Sequence, residues 1–277
     1  MSRIWVMARV TFREAARKRF LWMALGAGCA FLILFATGLH FQMAAFAERN
    51  VRLIIRRQVL SAMLIMGLYA IDLLVVVMTV LTSVDTLAGE IASGTIQAIA
   101  TKPVRRSELL LGKWLGFAAM LTAFIIIMVG GINAVSYLMS GVTVQHLVRG
   151  FALIWMESML LLSLTLFFGS GLSTLTNGVL TLGLHGLAFI GGWIEQAGAL
   201  TQTPKAVKVG VIASVVMPSE ALWRRAVFEM QPPLATALQL SPFSGASVPS
   251  RAMVVYAAVY TLLFLLLAIR RLEKRDL

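Results

Sequence analysis

Long apolar stretches alternate with short polar ones along the whole chain. Two uncharged runs stand out, 35 residues at 114–148 and 37 residues at 158–194. A helix crosses the hydrocarbon core with about 20 apolar residues, so the longer run holds two crossings if it is interrupted. The glycines and asparagine of 169–178 interrupt it. We therefore predict an all-α polytopic membrane protein with six spans at 20–41, 61–84, 114–139, 151–171, 178–198 and 252–269.

The segment before the first span, 3–19, has the pattern of an amphipathic helix. Arginines recur at every fourth position and share one helical face: Arg9, Arg13 and Arg17. Apolar residues occupy another face: Ile4, Ala8, Phe12 and Ala15. This pattern favours an interfacial helix in contact with anionic membrane lipid. The alternative is a basic signal that only sets the orientation of the first span.

Composition supports a membrane class and weakens a nucleic-acid interpretation of the charge. Hydrophobic residues make up 59% of the chain and charged residues 13%, with a formal net charge of +12. Basic residues gather at the cytoplasmic ends of spans, which explains the charge without nucleic acid as a partner. The single cysteine, Cys29, permits no disulfide within the chain. The histidines are scattered and form no zinc motif, so we predict no metal site.

The distribution of basic residues predicts a topology in which both termini are cytoplasmic. The loop 88–113 then lies in the cytoplasm, and the segment 199–251 lies outside. Arg49 and Arg52 on the first outer loop run against this orientation. In the outer segment we expect short amphipathic helices on the membrane surface, one of them with Ser219 as its N-cap. We expect no globular outer domain.

The loop 88–113 is polar and sharply punctuated between two apolar helices. Gly94 weakens a helix there, and Pro103 biases Lys102 away from helical geometry. Ser107 then caps a new helix, with Glu108 in its first turn. The pattern predicts a helix, a sharp turn and a second helix, with basic side chains at the bend. Such an element suits docking on another protein, and the alternative is a solvated turn that carries orientation charges.

One run in this loop resembles a family signature. The run Glu90-x3-Gly94-Thr95-Ile96-x5-Lys102-Pro103-x-Arg105-x6-Gly112-Lys113 is similar to that of ABC transporter permeases of the type-2 exporter class. The nearest branch includes the permease of the nitrous-oxide-reductase (multicopper enzyme) maturation transporter. The resemblance implies that this loop holds the coupling helix, which contacts the nucleotide-binding subunit. It assigns that contact to Glu90, Gly94, Thr95, Lys102, Pro103, Arg105 and Arg106.

The resemblance also implies an assembly and a location. Two copies of a P-loop ATPase would bind ATP and Mg²⁺, and a second permease subunit would complete a homodimer or heterodimer. The location implied is the bacterial cytoplasmic (inner) membrane. A P-loop needs Gly-x4-Gly-Lys-Ser/Thr, whereas the nearest run here ends in Gly112-Lys113-Trp114. We therefore predict a non-catalytic transport subunit that binds no cofactor itself.

Three ionisable residues fall inside predicted spans: Asp72, Glu157 and His185. Charges are costly there, so each should face a cavity or a partner. They could line a translocation path or bond helices together. The rival interpretation is a proton relay in a secondary transporter driven by an ion gradient. An intramembrane enzyme is disfavoured because neither paired membrane aspartates nor Gly-x-Ser-x-Gly occurs. Gly112-x3-Gly116 at the start of the third span would allow close helix approach.

Overall fold

The computed structural model describes residues 3–17, 19–49, 51–92, 105–232 and 247–274. Over these ranges the chain is helical and has no strand. The helices, in chain order, are α1 (Arg3–Arg17), α2 (Arg19–Glu48), α3 (Leu53–Ala92), α4 (Arg106–Ser140), α5 (Leu147–Gly169), α6 (Thr174–Leu200), α7 (Pro204–Val216), α8 (Ser219–Met230) and α9 (Arg251–Glu273).

Six of these helices are long and apolar enough to cross a membrane: α2, α3, α4, α5, α6 and α9. The prediction of an all-α protein with six spans is therefore confirmed. Six crossings bring both ends of the chain to one face of the bundle, here called the terminal face; the other is the opposite face. The spans exceed their predicted lengths. Helix α3 has 40 residues, which is about 60 Å at helical rise and extends beyond a hydrocarbon core of about 30 Å.

Helix α1 packs across the start of α4, where two glycines leave room for it. A Cβ atom at Gly116 would lie 2.7 Å from the carbonyl oxygen of Ala8 and 2.7 Å from Cβ of Thr11. A Cβ atom at Gly112 would lie 3.1 Å from the carbonyl oxygen of Ile4. The predicted close approach at Gly112-x3-Gly116 is thus confirmed, and its partner is α1.

The sequence predicted one apolar face for α1, but the structure divides that face in two. Ala8 and Ala15 are buried against the bundle, together with Thr11. Trp5 and Phe12 remain exposed on the outer surface of α1. Aromatic side chains in this position are suited to contact with lipid. The basic residues Arg9, Arg13 and Arg17 are all exposed. Helix α1 therefore contacts protein through small residues and presents its aromatic and basic side chains outward.

The core lies among α3, α4 and α5, whose facing side chains are almost fully buried. Its largest members include Phe117 and Phe124 of α4 and Leu64, Leu68 and Ile71 of α3. By contrast, only 11% of the apolar window of α2 is buried. Helix α2 therefore leaves most of its apolar surface available to lipid or to another subunit.

The long uncharged run is interrupted where the sequence predicted. Helix α5 ends at Gly169 and α6 begins at Thr174, with Ser173 as its N-cap. The Asn177 side-chain amide donates to the Thr165 carbonyl at 2.9 Å and to the Val84 carbonyl at 3.2 Å. These bonds tie the start of α6 to both α5 and α3, so the turn between α5 and α6 is anchored from the inside.

Helices α7 and α8 meet at a bend of 108° and form a hairpin that enters the bundle from the opposite face. The Met230 carbonyl at the end of α8 accepts from the Gln145 backbone amide, at 3.0 Å, in the connection between α4 and α5. At the other end of α8, the Ser219 hydroxyl lies 3.0 Å from Nδ1 of His185 in the middle of α6. The tip of the hairpin therefore reaches the interior while both of its ends stay at the opposite face.

The expectation of helices on the outer surface was wrong for α8. Nine of its twelve residues are buried, and Trp223 packs edge-on against Tyr69 with ring centroids 5.1 Å apart. Its N-cap is Pro218 rather than Ser219. Helix α7 stays near the surface but packs closely on α6: a Cβ atom at Gly210 would lie 2.5 Å from the Gly191 carbonyl oxygen.

The bend leaves backbone carbonyls of α7 without helical partners, and such groups need donors inside a membrane. Two tyrosines of the last span supply them. The Tyr256 hydroxyl donates to the Val215 carbonyl at 2.7 Å, and the Tyr260 hydroxyl donates to the Val216 carbonyl at 3.1 Å. The tip of the hairpin is thus held by α9 as well as by α6.

Candidate coupling surface and buried polar centre

Helices α3 and α4, which flank residues 93–104 in the chain, are braced together at the terminal face. Glu90 of α3 forms an ion pair with Lys113 of α4, and the lysine side chain is only 4% exposed. The resemblance assigned Glu90 to the docking contact, which stays a prediction. The structure places Glu90 and Lys113 in a shielded brace. A buried pair of this kind is costly to break because the remaining charge is left without compensation.

The adjacent arginines at the start of α4 have different environments. Arg105 is exposed and serves as the N-cap of α4, where its backbone amide donates to the Glu108 carboxylate at 3.0 Å. The Arg106 guanidinium donates to the carbonyls of Leu272 and Glu273, each at 3.2 Å. Arg105 is thus presented outward, while Arg106 fastens α4 to the end of the last span. The predicted cap, Ser107, lies within the first turn instead.

The last span is held from a second direction by the turn between α5 and α6. The Arg271 guanidinium carbon lies 5.5 Å from the ring centroid of Phe167, a cation–π distance. A Cβ atom at Gly171 would collide with the same guanidinium. Arg106 and Arg271 therefore connect the end of α9 to α4 and to the α5–α6 turn.

Four residues that the resemblance assigned to the coupling contact lie outside the described residues. They are Gly94, Thr95, Lys102 and Pro103. Of that predicted set, the structure therefore places Glu90, Arg105 and Arg106.

A cavity of about 320 Å³ adjoins the Glu90–Lys113 brace on the terminal face. Its polar lining comes from α1, α3 and α4 and includes Glu14 and Asp85. The Asp85 carboxylate also accepts a hydrogen bond from the Thr174 hydroxyl at 2.9 Å. The cavity thus leaves space beneath α1, next to the helices that enclose the predicted coupling loop.

Deep in the bundle, the structure brings the three predicted membrane residues together. Nδ1 of His185 lies 3.8 Å from Oε1 of Glu157, and the Asp72 carboxyl group lies within electrostatic range of Glu157. The hairpin contributes Glu220, whose carboxyl group lies within electrostatic range of Asp72 and Glu157, and Ser219, whose hydroxyl lies 3.0 Å from Nδ1 of His185. We call these five residues the buried polar centre. Its carboxyl-bearing residues are between 1% and 6% exposed.

A second buried network lies next to this centre and joins α6 to the hairpin. The Arg224 guanidinium donates to the Glu195 carboxylate at 2.9 Å and to the Ser214 hydroxyl at 3.2 Å. The Ser247 hydroxyl donates to the other oxygen of Glu195. Charge and hydrogen bonds are thus matched around Glu195, the arrangement that makes a buried ion pair tolerable.

The sequence identified three members of the buried polar centre and missed three ionisable residues, one in that centre and two in the adjoining network. Glu195 lies inside the predicted fifth span, so its position alone could have identified it. Glu220 and Arg224 were assigned to a surface helix because Pro218 and the nearby charges are typical of exposed structure. The pairing of Lys113 with Glu90 had no local signal, since the two lie on different helices.

The six-span bundle, its re-entrant hairpin and the amino-terminal helix packed across its terminal face define a multi-pass membrane protein. A family model described as ABC-2 family transporter protein matches residues 5–277. The chain belongs to this family and is the permease component of an ABC transporter. Membership implies an ATP-binding partner subunit. None of the curated proteins compared with the chain matches it.

Proposed function

We propose that this permease is an exporter driven by a separate P-loop ATPase that docks on the terminal face around residues 88–113. ATP and Mg²⁺ bind to the ATPase, and the permease converts its movement into alternating access. The cargo moves along an apolar path. The narrower resemblance to the nitrous-oxide-reductase maturation transporter stays a prediction about the branch of the family.

The observation that carries the proposal is the way both stems of the loop are fixed to the bundle. The Glu90–Lys113 pair joins α3 to α4 at the base of the loop. Arg106 then joins α4 to the last span through its carbonyl oxygens. A force applied to the loop is therefore passed to three spans, because these contacts leave the stems little freedom to move alone.

Arg105 is the described residue best suited to contact the ATPase. Its side chain is exposed, and it follows Lys102 by three positions in the sequence. A charged rim contact of this kind contributes mainly to orientation and association rate. The proposal therefore assigns Arg105 to docking and Arg106 to transmission within the permease.

The assembly that we propose contains two ATPase subunits and two permease subunits. The surface of helix α2 is the argument for a second permease subunit. It exposes large apolar side chains along its length, among them Trp22, Ile33 and Phe41. Membrane lipid covers whatever part of this surface a homodimer or heterodimer leaves open. Exposed apolar surface of this extent marks a membrane or protein interface.

Docking is tested by co-purification of the permease with an ATP-hydrolysing partner. We expect Arg105→Glu to lose the ATPase, because it reverses the charge at the contact. Arg49→Glu is the matched control, since Arg49 is exposed on the opposite face and should retain the ATPase. If both variants keep a coupled ATPase, the docking assignment is wrong.

Orientation is tested by labelling in a Cys29→Ser background, which removes the only native cysteine. If the protein lies in a bacterial inner membrane with both termini cytoplasmic, we expect the label to react with the cysteine of Val104→Cys in inverted vesicles. It should react with the cysteine of Thr143→Cys in intact cells. The reverse pattern would place the proposed docking loop outside and exclude an ATPase there.

The alternative of ion-driven secondary transport rests on Asp72, Glu157 and His185. It predicts transport that continues without nucleotide and stops in Asp72→Asn. Family membership favours the ATP-driven proposal, for which removal of nucleotide abolishes transport. Measuring transport in vesicles with and without ATP separates the two.

A further inference from the structure

The buried polar centre contains more acidic groups than its cations can neutralise. The buried polar centre and the adjoining Arg224–Glu195 network together contain four carboxyl groups: Asp72, Glu157, Glu195 and Glu220. Arg224 is the one arginine or lysine in these two clusters, and it is bonded to Glu195. If all four acids were ionised, an apolar interior would hold a net charge of −3 with neutral His185. Even a protonated His185 would leave −2.

The position of Arg224 decides which acids lack a counter-charge. Its Nε and Nη1 atoms are buried and have no hydrogen-bond partner among the described residues. Glu220 lies nearby, because a Cβ atom at Gly192 would be 3.5 Å from both Nε of Arg224 and Oε1 of Glu220. A space of about 20 Å³ beside Glu220 and Arg224 has room for roughly one water molecule. Arg224 is thus bonded to Glu195 and lies near Glu220, whereas Asp72 and Glu157 have no ion pair with an arginine or lysine among the described residues.

The surroundings of Asp72 and Glu157 are unfavourable to two carboxylate ions. Oδ1 of Asp72 and both oxygens of Glu157 are buried and receive no hydrogen bond within the part of the chain that the structure describes. Their neighbouring titratable groups are Tyr69 on α3, His185 on α6 and Glu220 on α8. Two carboxylate ions in one buried site disfavour each other's ionisation, so at least one of them takes up a proton.

We propose that Asp72 and Glu157 form a proton-binding site that holds at least one proton while the α7–α8 hairpin is docked. The proton lies between α3 and α5, at the depth where the hairpin meets His185 through Ser219. Withdrawal of the hairpin would admit water and allow the acids to ionise. Proton binding and hairpin docking therefore stabilise each other. This inference concerns the permease alone and does not rest on the proposed ATPase contact.

Infrared spectroscopy of the permease in nanodiscs tests the proposal directly. We expect a carbonyl-stretch band of protonated carboxyl groups at neutral pH, weakened in Asp72→Asn and in Glu157→Gln. Glu14→Gln is the control, because Glu14 is exposed on α1, and it should leave the band unchanged. Absence of the band in the wild-type protein would overturn the proposal, since the acids would then be ionised and balanced by His185 or by another cation.

The pH dependence of unfolding is a second test. A proton held in the folded protein and released on unfolding changes the unfolding equilibrium constant by about tenfold per pH unit, with stability falling as pH rises. Above about pH 5, where both acids are ionised in the unfolded chain, we expect this slope to be smaller in Asp72→Asn/Glu157→Gln than in the wild type. An equal slope in both proteins would place the titrating group elsewhere and overturn the assignment. If the double variant does not fold, the infrared titration of the wild type still decides.

Discussion

The contact between α1 and α4 gives the sharpest stability prediction, because it depends on one missing methyl group. In Gly116→Ala the new Cβ would lie 2.7 Å from the Ala8 carbonyl oxygen and 2.7 Å from Cβ of Thr11. Neither atom can rotate away, so α1 must shift from α4. Overpacking of this kind costs about 1–3 kcal/mol, whereas the helix propensity of alanine returns up to about 1 kcal/mol.

Gly130→Ala is the matched control, because Gly130 lies in the same helix and a Cβ there would meet nothing within 4 Å. It gains the same helix propensity without the clash. The difference between the two variants therefore isolates the contact and should be about 1–3 kcal/mol. The assay is thermal unfolding in nanodiscs, combined with trypsin cleavage of α1 at its exposed arginines.

Trypsin cleavage follows the population in which α1 has detached, provided that opening and closing are fast. A loss of 1–3 kcal/mol raises that population by about 5- to 150-fold. We expect faster cleavage of α1 in Gly116→Ala than in Gly130→Ala. Equal unfolding temperatures and equal cleavage rates would show that α1 does not pack on α4 through this glycine.

Further predictions concern the hairpin and the last span. Arg224→Met should destabilise the protein by about 3–5 kcal/mol, because it leaves Glu195 buried without a counter-charge, and adding Glu195→Met should recover most of the loss; equal unfolding temperatures for the single and double variants would contradict this. Gly210→Ala should cost about 1–3 kcal/mol in thermal unfolding, since its Cβ would lie 2.5 Å from the Gly191 carbonyl oxygen. Arg106→Gln should retain the ATPase in co-purification but lower coupled transport, and loss of the ATPase would assign Arg106 to docking instead.

The number and approximate position of the spans could be predicted from local sequence. Uncharged runs of sufficient length have few alternatives to a transmembrane helix, so hydropathy placed all six. Close helix approach at Gly112 and Gly116 was also visible in the sequence. The helix that approaches these glycines could not be identified from the sequence, because small residues permit contact with any helix that fits. The structure supplies α1 as that partner.

The re-entrant hairpin could not be predicted in the same way. Pro218, Glu220 and Arg224 are locally typical of a surface helix. Burial becomes favourable only when Arg224 meets Glu195 from another helix. The depth of Glu220 likewise depends on contacts made across the bundle. Long-range compensation of charge therefore overrode the local pattern, and it explains why the sequence assigned the helix to the wrong environment.

Helix α3 connects the buried polar centre with the brace at the terminal face. Helix α3 carries Asp72 in the buried polar centre and Glu90 in the terminal-face brace, about 27 Å apart at helical rise. The helix is unbroken between them, so a tilt imposed at Glu90 also displaces Asp72. Because the acidic centre is closed by the hairpin tip, even a small displacement changes the contacts that exclude water from it. In the mechanism that we propose, a movement of the 88–113 segment would therefore alter proton occupancy in the interior through α3.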